Sequence, residues 1–520
     1  MLPSLSVPRH VPGRWLVPML LLALAMPALA AGNNATQVRV DARAQGTAFP
    51  HFWERIFGSG RAVLALRDDY RKDLVKVRKA TGFTYVRPHG IFDREVGLFH
   101  LKDGQPVYNF SYVDQIYDGL LARGVKPFVE LSFMPPDLAS DPKAIHSFWY
   151  HQNVSPPKSY ALWDGMIKAF ARHLIERYGI DEVSTWYFEV WNEPNIDFWR
   201  GKPAQSTYFT LYDHTARALK SVSPRLRVGG PATAQAAWVP AFLEHARKDH
   251  VPVDFVSTHV YGDDTAKNVF HTDEQIPRRD MVCRAVAKVH RQILASAYPH
   301  MPLIMSEYNA SYANLPNVTD SVFMGPWLAN TIRECAGKVQ VMAYWSFSDV
   351  FEEQGVVKTP FYGGFGLIAA DRIDKPVFNA FAMLHRLGHT RLPVKGDSVL
   401  ATRTKDGHIV LALWNYAPPV GKTASYTPGP PQGQLRRFDI DIRHLGGGGN
   451  ARATVWQLDR GHGNVIATFN AMGRPDFPSR QQIRELRQAG RMAVPEVLKP
   501  HDGHLAIDIP PQGLVVVEVK

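Results

Sequence analysis

Two glutamates in this 520-residue chain stand where they could do chemistry. Glu193 closes the run Phe188-Glu189-Val190-Trp191-Asn192-Glu193-Pro194-Asn195, and Glu307 closes Pro302-Leu303-Ile304-Met305-Ser306-Glu307-Tyr308-Asn309. In each, an apolar stretch ends abruptly in polar groups, as a buried strand does when it delivers a carboxylate at its C-terminal end. Two carboxylates so delivered suit glycoside hydrolysis: one acid protonates the leaving oxygen, and one carboxylate faces the anomeric carbon. A single glutamate of this kind reads equally as a surface loop residue. Two at matching strand ends, flanked by Trp, Asn and Tyr, read as a site. Period 2 puts Leu303, Met305 and Glu307 on one strand face, and Trp191 and Glu193 on one face of another strand. Both carboxylates are therefore expected to point into a common mouth.

The elements that must hold them are legible as alternation. Short apolar runs centre on Ile56–Gly58, Tyr85–Arg87, Pro127–Leu131, Trp186–Trp191, Leu226–Gly229, Phe255–Thr258, Leu303–Ser306 and Val341–Trp345. Amphipathic stretches such as Asp68–Ala80, Tyr160–Tyr178, Thr207–Ser221 and Arg279–Ala297 separate them. Eight strand–helix units predict an α/β fold in which residues 48–387 close into a (β/α)8 TIM barrel. Functional side chains gather at the C-terminal ends of such strands; Glu193 ends the fourth and Glu307 the seventh. An open doubly wound sheet is the competing architecture, but Gly58-Ser59-Gly60 is too little to cradle a phosphate after the first strand. Period-2 runs at Ile409–Trp414, Thr454–Leu458, Leu505–Ile509 and Leu514–Val519 predict an accessory C-terminal β-sandwich over residues 388–520. Pro428–Pro431 and Gly446–Gly449 punctuate it as turns or exposed loops. Gln37–Val40 has no barrel partner, so residues 32–47 are expected to add a strand to that sandwich.

Composition narrows the class. The hydrophobic fraction of 45% and charged fraction of 21% are those of a soluble globular protein. Residues 1–31 read as a signal peptide: Arg9 and Arg14 in a basic n-region, an apolar Leu16–Leu29, and the small–x–small pattern Ala28-Leu29-Ala30, with cleavage near Ala30 or Ala31. No Cys follows to take a lipid, and no later stretch is long and apolar enough to span a membrane, so the mature chain is expected to be periplasmic or extracellular. The formal charge is +11, but Lys and Arg are scattered rather than clustered, which argues against a nucleic-acid partner. Cys283 and Cys335 fall in helices that would be neighbours around a barrel, and they read equally as a disulfide or as two buried thiols. His385 and His389 stand four residues apart at a helix end and read as ordinary helix-terminal residues, so no metal ligand set is expected. Asn153-Val154-Ser155, Asn309-Ala310-Ser311 and Asn317-Val318-Thr319 read as chance matches to glycosylation sequons, since a glycan at Asn309 would block the site.

Trp191-Asn192-Glu193-Pro194-Asn195 resembles the acid/base motif of glycoside hydrolase family 39, in the large barrel clan of retaining glycosidases. Ser306-Glu307-Tyr308-Asn309 resembles its nucleophile motif. Arg87-Pro88-His89-Gly90, His259-Val260-Tyr261-Gly262 and Trp345 through Glu353 extend the likeness over the whole mature chain. The resemblance implies Glu193 as acid/base, Glu307 as nucleophile, and double displacement with net retention. Retention predicts carboxylates about 5–5.5 Å apart. Repulsion from Glu307 should raise the Glu193 pKa and keep it protonated. Arg87 either holds Glu307 ionised or pairs with Glu189 inside the barrel. By resemblance Asn192 bonds the sugar's 2-hydroxyl, Tyr261 orients the nucleophile, and His89 and His259 bind sugar hydroxyls. Trp345 floors the sugar, with a cis peptide to Ser346. Glu352 and Glu353 together grip the outer hydroxyls of a terminal sugar, and Phe133 walls the pocket.

The activity implied is an exo-acting β-D-xylosidase releasing xylose from xylo-oligosaccharides, without a cofactor. An α-L-iduronidase-like, β-glucosidase, arabinosidase or endo-acting specificity is the alternative within the family. A catalytically inactive carbohydrate-binding barrel is the alternative of another class.

Overall fold

The structure, a computed structural model, describes residues 35–420, 431–445 and 451–520. The expected signal segment at residues 1–31, the glycine run Gly446–Gly449 and most of the turn Pro428–Pro431 lie outside the described residues.

Eight parallel strands close into a barrel in chain order: Ile56–Arg61, Tyr85–His89, Lys126–Leu131, Tyr187–Val190, Arg227–Thr233, Phe255–Tyr261, Leu303–Asn309 and Val341–Tyr344. Pairing of Ala343 with Ile56 completes the ring. The connecting helices begin and end where the sequence says they should. Asp68–Thr81 carries Asp68 and Asp69 in its first turn and Arg78 and Lys79 in its last, matching the helix dipole, and stops at Gly82 in the left-handed region. Tyr160–Tyr178 starts where the Ser159 side chain accepts the Leu162 N–H, and buries Trp163, Met166, Ile167, Phe170 and Leu174.

The N-terminal end of the barrel interior is an apolar plug of Ile56, Tyr85, Phe128, Tyr187, Phe255, Ile304, Val341 and Ala343. The fifth strand gives it no side chain, because a Cβ at Gly229 would lie 2.5 Å from the Phe255 ring.

The C-terminal region is two facing sheets. Thr36–Asp41 pairs parallel with Arg436–Arg443, which pairs antiparallel with His504–Ile509. A seven-stranded sheet includes Val399–Arg403, Ile409–Asn415, Gly513–Val519 and Ala453–Leu458. Both faces of its central strand are buried: Leu411 and Leu413 meet the smaller sheet, whereas Val410, Ala412 and Trp414 join the barrel's outer core. That explains why Ile409–Trp414 is apolar throughout instead of alternating. Barrel and sandwich therefore share one core across the helices Met324–Cys335 and Pro376–Leu384.

Part of the stretch expected to be sandwich is helical. Val465–Ala471 and Arg480–Ala489 pack Phe469 and Leu486 against Phe361 and Ile373, in the segment that follows the last barrel strand. Cys283 and Cys335 form a disulfide joining the helices Arg278–Leu294 and Met324–Cys335. His385 donates not toward His389 but to Glu54 Oε1 at 2.7 Å, an oxygen it shares with His51. Among the described residues no helix is long and apolar enough to cross a membrane.

Candidate active site

The two glutamates reach the C-terminal mouth of the barrel by backbone irregularities rather than by simple strand alternation. The fourth strand ends at Val190. Trp191 and Glu193 then take φ of 72° and 45°, a region that costs a non-glycine residue strain and concentrates at functional sites. Trp191 is turned outward: its indole donates to Phe198 O at 2.8 Å, and its ring meets Phe133 and Trp199. Glu193 is fixed separately, by its backbone N–H donating to Ala232 O at 2.8 Å. Trp191 and Glu193 thus do not share an inward face as period 2 suggested.

On the seventh strand Ile304 lies in the barrel plug and Met305 in the outer core. The register with the sixth strand shifts so that Thr258 pairs with Met305 but His259 pairs with Glu307. Such a bulge re-aims side chains. Here Ser306 and Glu307, consecutive residues, both reach the interior, and the expected grouping of Leu303, Met305 and Glu307 on one inward face is not found.

Arg87 sits between the carboxylates it was offered as alternatives. Its Nη1 donates to Glu307 Oε1 at 2.8 Å, its Nε to Glu189 Oε2 at 2.6 Å, and its Nη2 to Asn192 Oδ1 at 3.0 Å. Glu130 Oε2 lies 2.8 Å from Nη2. Burial opposes its charge, but Glu189, Glu130 and Glu307 more than restore it and hold Arg87 protonated. Tyr261 O–H donates to the other Glu307 oxygen at 2.6 Å. Both oxygens of Glu307 thus accept from strong donors, the arrangement that favours a carboxylate anion.

Glu193 is in a different environment. Burial pushes its pKa up to about 7 against the opposing pull of His89 and Arg87. Desolvation, not the expected repulsion by Glu307, is the leading cause of that rise, with Asp197 and Glu130 adding to it. Oxygens of Glu193 and Glu307 and a nitrogen of His259 lie within 4.8 Å of one another. A cation could in principle be held there, but the Arg87 guanidinium already occupies the position of counter-charge on Glu307.

The remaining predicted residues divide. A cavity of about 440 Å³ is lined by His89, Asn192, Glu193, Tyr261, Glu307, Trp345 and Glu353. Asn192 commits its oxygen to Arg87, and its amide nitrogen makes no hydrogen bond among the described residues, so it remains for a ligand. His89 Nδ1 faces Glu130 Oε2 at 2.7 Å; burial lowers its pKa, but Glu130 raises it to about 9 overall, so the ring is a cation. Glu353 is buried, with its pKa pushed up to about 8, and its carboxylate lies 3.8 Å from His89 Nε2. The Trp345–Ser346 peptide is cis.

Three expectations need correction. Glu352 does not accompany Glu353 into the cavity: successive residues point apart, and Arg61 at 3.0 Å and Arg67 hold Glu352 on the far side. Phe133 does not line the cavity; fully buried against Trp191, Phe198 and His89, it supports the wall from behind. His259 is also fully buried and is not among the cavity-lining residues. Its Nδ1 lies 3.0 Å from Glu193 Oε1, so it touches the carboxylate rather than a sugar.

Glu130, Ser306, His146 and Asp264 join the site with no role implied by the motifs above. Glu130 was detectable as a charge inside the apolar run Lys126–Leu131. Asp264, which accepts the Tyr261 backbone N–H at 2.7 Å, and His146, stacked on Phe198, come from loops whose path no periodicity encodes.

Residues 36–504 match the family model for glycosyl hydrolases family 39. The chain is 38% identical over 486 residues to a β-xylosidase of Geobacillus stearothermophilus, covering 91% of this chain and 93% of that protein. It is 35% identical over 482 residues to a β-xylosidase of Caldicellulosiruptor saccharolyticus, covering 90% and 95%. A crystal structure of a monomeric β-xylosidase from Caulobacter crescentus CB15 superposes with a TM-score of 0.84 at 34% identity, over 94% of this chain and 99% of that one. The carboxylates at barrel strand ends, the accessory sandwich and this likeness along nearly the whole chain lead to one conclusion: the chain belongs to glycosyl hydrolases family 39.

Proposed function

We propose that this protein is a retaining exo-β-D-xylosidase in which Glu193 is the acid/base and Glu307 the nucleophile. The observation that carries the reading is the asymmetry of two neighbouring carboxylates. Glu307 accepts from Arg87 and Tyr261, as an attacking anion needs, whereas burial keeps Glu193 protonated up to about pH 7, as a general acid needs. One oxygen of Glu193 lies within 4.8 Å of one of Glu307, which supports the close pairing of a retaining mechanism over the separation of about 6.5–9.5 Å in an inverting one. Glu193 protonates the leaving oxygen as Glu307 attacks the anomeric carbon. With the glycosyl–enzyme formed, Glu193 takes a proton from water and the hydroxide displaces Glu307.

Similarity to two β-xylosidases supports xylose as the glycone. Buried Glu353 beside cationic His89 suits recognition of the outer hydroxyls of a terminal sugar, which supports exo attack. Among the described residues neither Lys nor Arg lines the cavity, and cationic His89 is already paired with Glu130, which disfavours an α-L-iduronidase-like preference, since a uronate needs a free counter-ion. Export is part of the same reading. The n-region, apolar run and Ala28-Leu29-Ala30 support it, and the Cys283–Cys335 disulfide suits an oxidising compartment. N-terminal sequencing of protein recovered outside the cytoplasm tests that point: an intact Met1 would refute it.

The test of the activity is hydrolysis of a panel of aryl glycosides with the first-formed anomer read by NMR. Release of β-xylose from the β-D-xyloside is the expected result. Turnover of a glucoside or iduronide with none of the xyloside would move the specificity, and an inverted anomer would remove Glu307 as nucleophile.

A further inference from the structure

His259 lies at the centre of a hydrogen-bond chain that the reaction outlined above does not yet use. One ring nitrogen, Nδ1, is 3.0 Å from Glu193 Oε1; the other, Nε2, is 3.1 Å from Ser306 Oγ. The imidazole and the Ser306 side chain are both fully buried. Nδ1 is also 3.6 Å from Glu307 Oε1. Burial drives the His259 pKa down to about 4, so the ring is neutral and carries a single N–H. Two tautomers are then open, and the neighbours do not treat them alike.

With the proton on Nε2, the Nδ1 lone pair faces two carboxylates. The N–H points at Ser306 Oγ, and the Ser306 hydroxyl proton is left with no acceptor, since Ser306 Oγ has no other hydrogen bond among the described residues. With the proton on Nδ1, the N–H donates to Glu193 Oε1, and Ser306 O–H donates to Nε2. Every buried group is satisfied. Leaving a buried donor unsatisfied is costly enough to select one tautomer.

We infer that Ser306 is a positioning residue: its hydroxyl locks His259 in the Nδ1–H tautomer, which occupies Glu193 Oε1 and leaves Oε2 as the oxygen that carries the catalytic proton. Oε2 makes no hydrogen bond among the described residues, and Glu193 lines the cavity. The lock serves both halves of the cycle. While Glu193 is an acid, its proton cannot be lost into a hydrogen bond to Nδ1 and stays on the oxygen that meets the leaving group. Once Glu193 is an anion, the same N–H stabilises Oε1 and Oε2 accepts from water. The inference rests on the proposed roles of Glu193 and Glu307.

Ser306→Ala removes the lock. The Glu193 proton can then be drawn to Nδ1, with the ring proton on Nε2. The expected result is a loss that depends on the leaving group. For xylobiose, whose leaving sugar needs protonation, kcat/KM falls about 10-fold or more; for 2,4-dinitrophenyl β-xyloside, whose leaving group needs no proton, it falls less than about 3-fold. Ser306→Thr keeps the hydroxyl and restores the wild-type ratio of the two substrates. The tautomer is read directly by 15N NMR of histidine-labelled enzyme, with the His259 signal assigned by its loss in His259→Asn. A protonated Nδ1 in the wild type and a mixed or Nε2-protonated ring in Ser306→Ala are expected. Equal losses on both substrates, or an Nε2-protonated ring in the wild type, would overturn the lock. If the wild type hydrolyses no xyloside, the functional reading fails on its own and the wild-type spectrum still decides the tautomer.

Discussion

The two ends of the barrel interior are built from the same strands by opposite rules. At the N-terminal end Ile56, Tyr85, Phe128, Tyr187, Phe255, Ile304, Val341 and Ala343 fill space as an apolar cluster, with the Arg227 guanidinium over the Tyr187 ring at 3.9 Å. Two or three residues further along four of these strands, Arg87, Glu130, Glu189 and Glu307 are equally dry but charged. Apolar packing stabilises by area and tolerates swaps of similar volume. A buried ion cluster gives little net stability, because desolvation consumes most of the Coulomb gain, and it fails badly if one member is removed. The lower end therefore supports the fold, and the upper end is retained for what it does. Within the upper end the contrast repeats. Glu307 has strong donors on both oxygens, whereas Glu193 has a neutral imidazole on one and, among the described residues, no donor on the other.

The sharpest break is Glu307→Ala, expected to lower kcat on the order of 10⁴-fold; the variant is less stable but still folds, because Arg87 keeps Glu130 and Glu189 as partners. Added azide should rescue it with an α-xylosyl azide, because azide enters from the vacated face; a β-azide would reassign the nucleophile. Glu193→Gln comes next. A loss of about 10²–10⁴-fold is expected on xylobiose and a much smaller one in forming the glycosyl–enzyme from an activated aryl xyloside. A uniform loss would make Glu193 merely structural.

At the other end, Phe128→Ala should cost about 3–5 kcal/mol in chemical denaturation and leave kcat near the wild-type value well below the melting temperature. A collapse of kcat at full folding would show that the two ends are not separable.

The smallest expected effect is in pH. Glu353 has an ordinary value of 4.5 and a folded value of about 8, raised by burial; His89 rises from 6.5 to about 9 through Glu130, against its own burial. In both cases the folded state holds its proton longer than the unfolded chain. Their contribution is fully present below the unfolded values and is lost as pH rises through the folded ones. Glu353→Gln should therefore flatten the decline in stability between pH 4.5 and about 8. A steeper decline would mean that Glu353 is stabilised as an anion.

Much of this was written locally. Apolar runs alternating with helical stretches marked all eight barrel strands, and amphipathic patterning marked the helix Tyr160–Tyr178. The pair Glu193 and Glu307 was visible because each interrupts an apolar run. Arg436–Arg443 was overlooked as a strand although it alternates charge and Phe438, Ile440, Ile442, and Arg480–Ala489 was hidden by its polar surface. Glu352 and Glu353 looked equivalent, yet Arg61 and Arg67, distant in sequence, pull one of them away.

The sequence by itself determined the strand–helix alternation, the two carboxylates and the family, because these depend on residue type and local spacing. Only the tertiary structure decided which atoms face each other. It bulged the seventh strand so that Ser306 and Glu307 both reach the interior, and turned Trp191 out while holding Glu193 in. It also enclosed His259 between Ser306 and Glu193. Desolvation and hydrogen-bond direction are properties of a three-dimensional surround, and they set which glutamate keeps its proton.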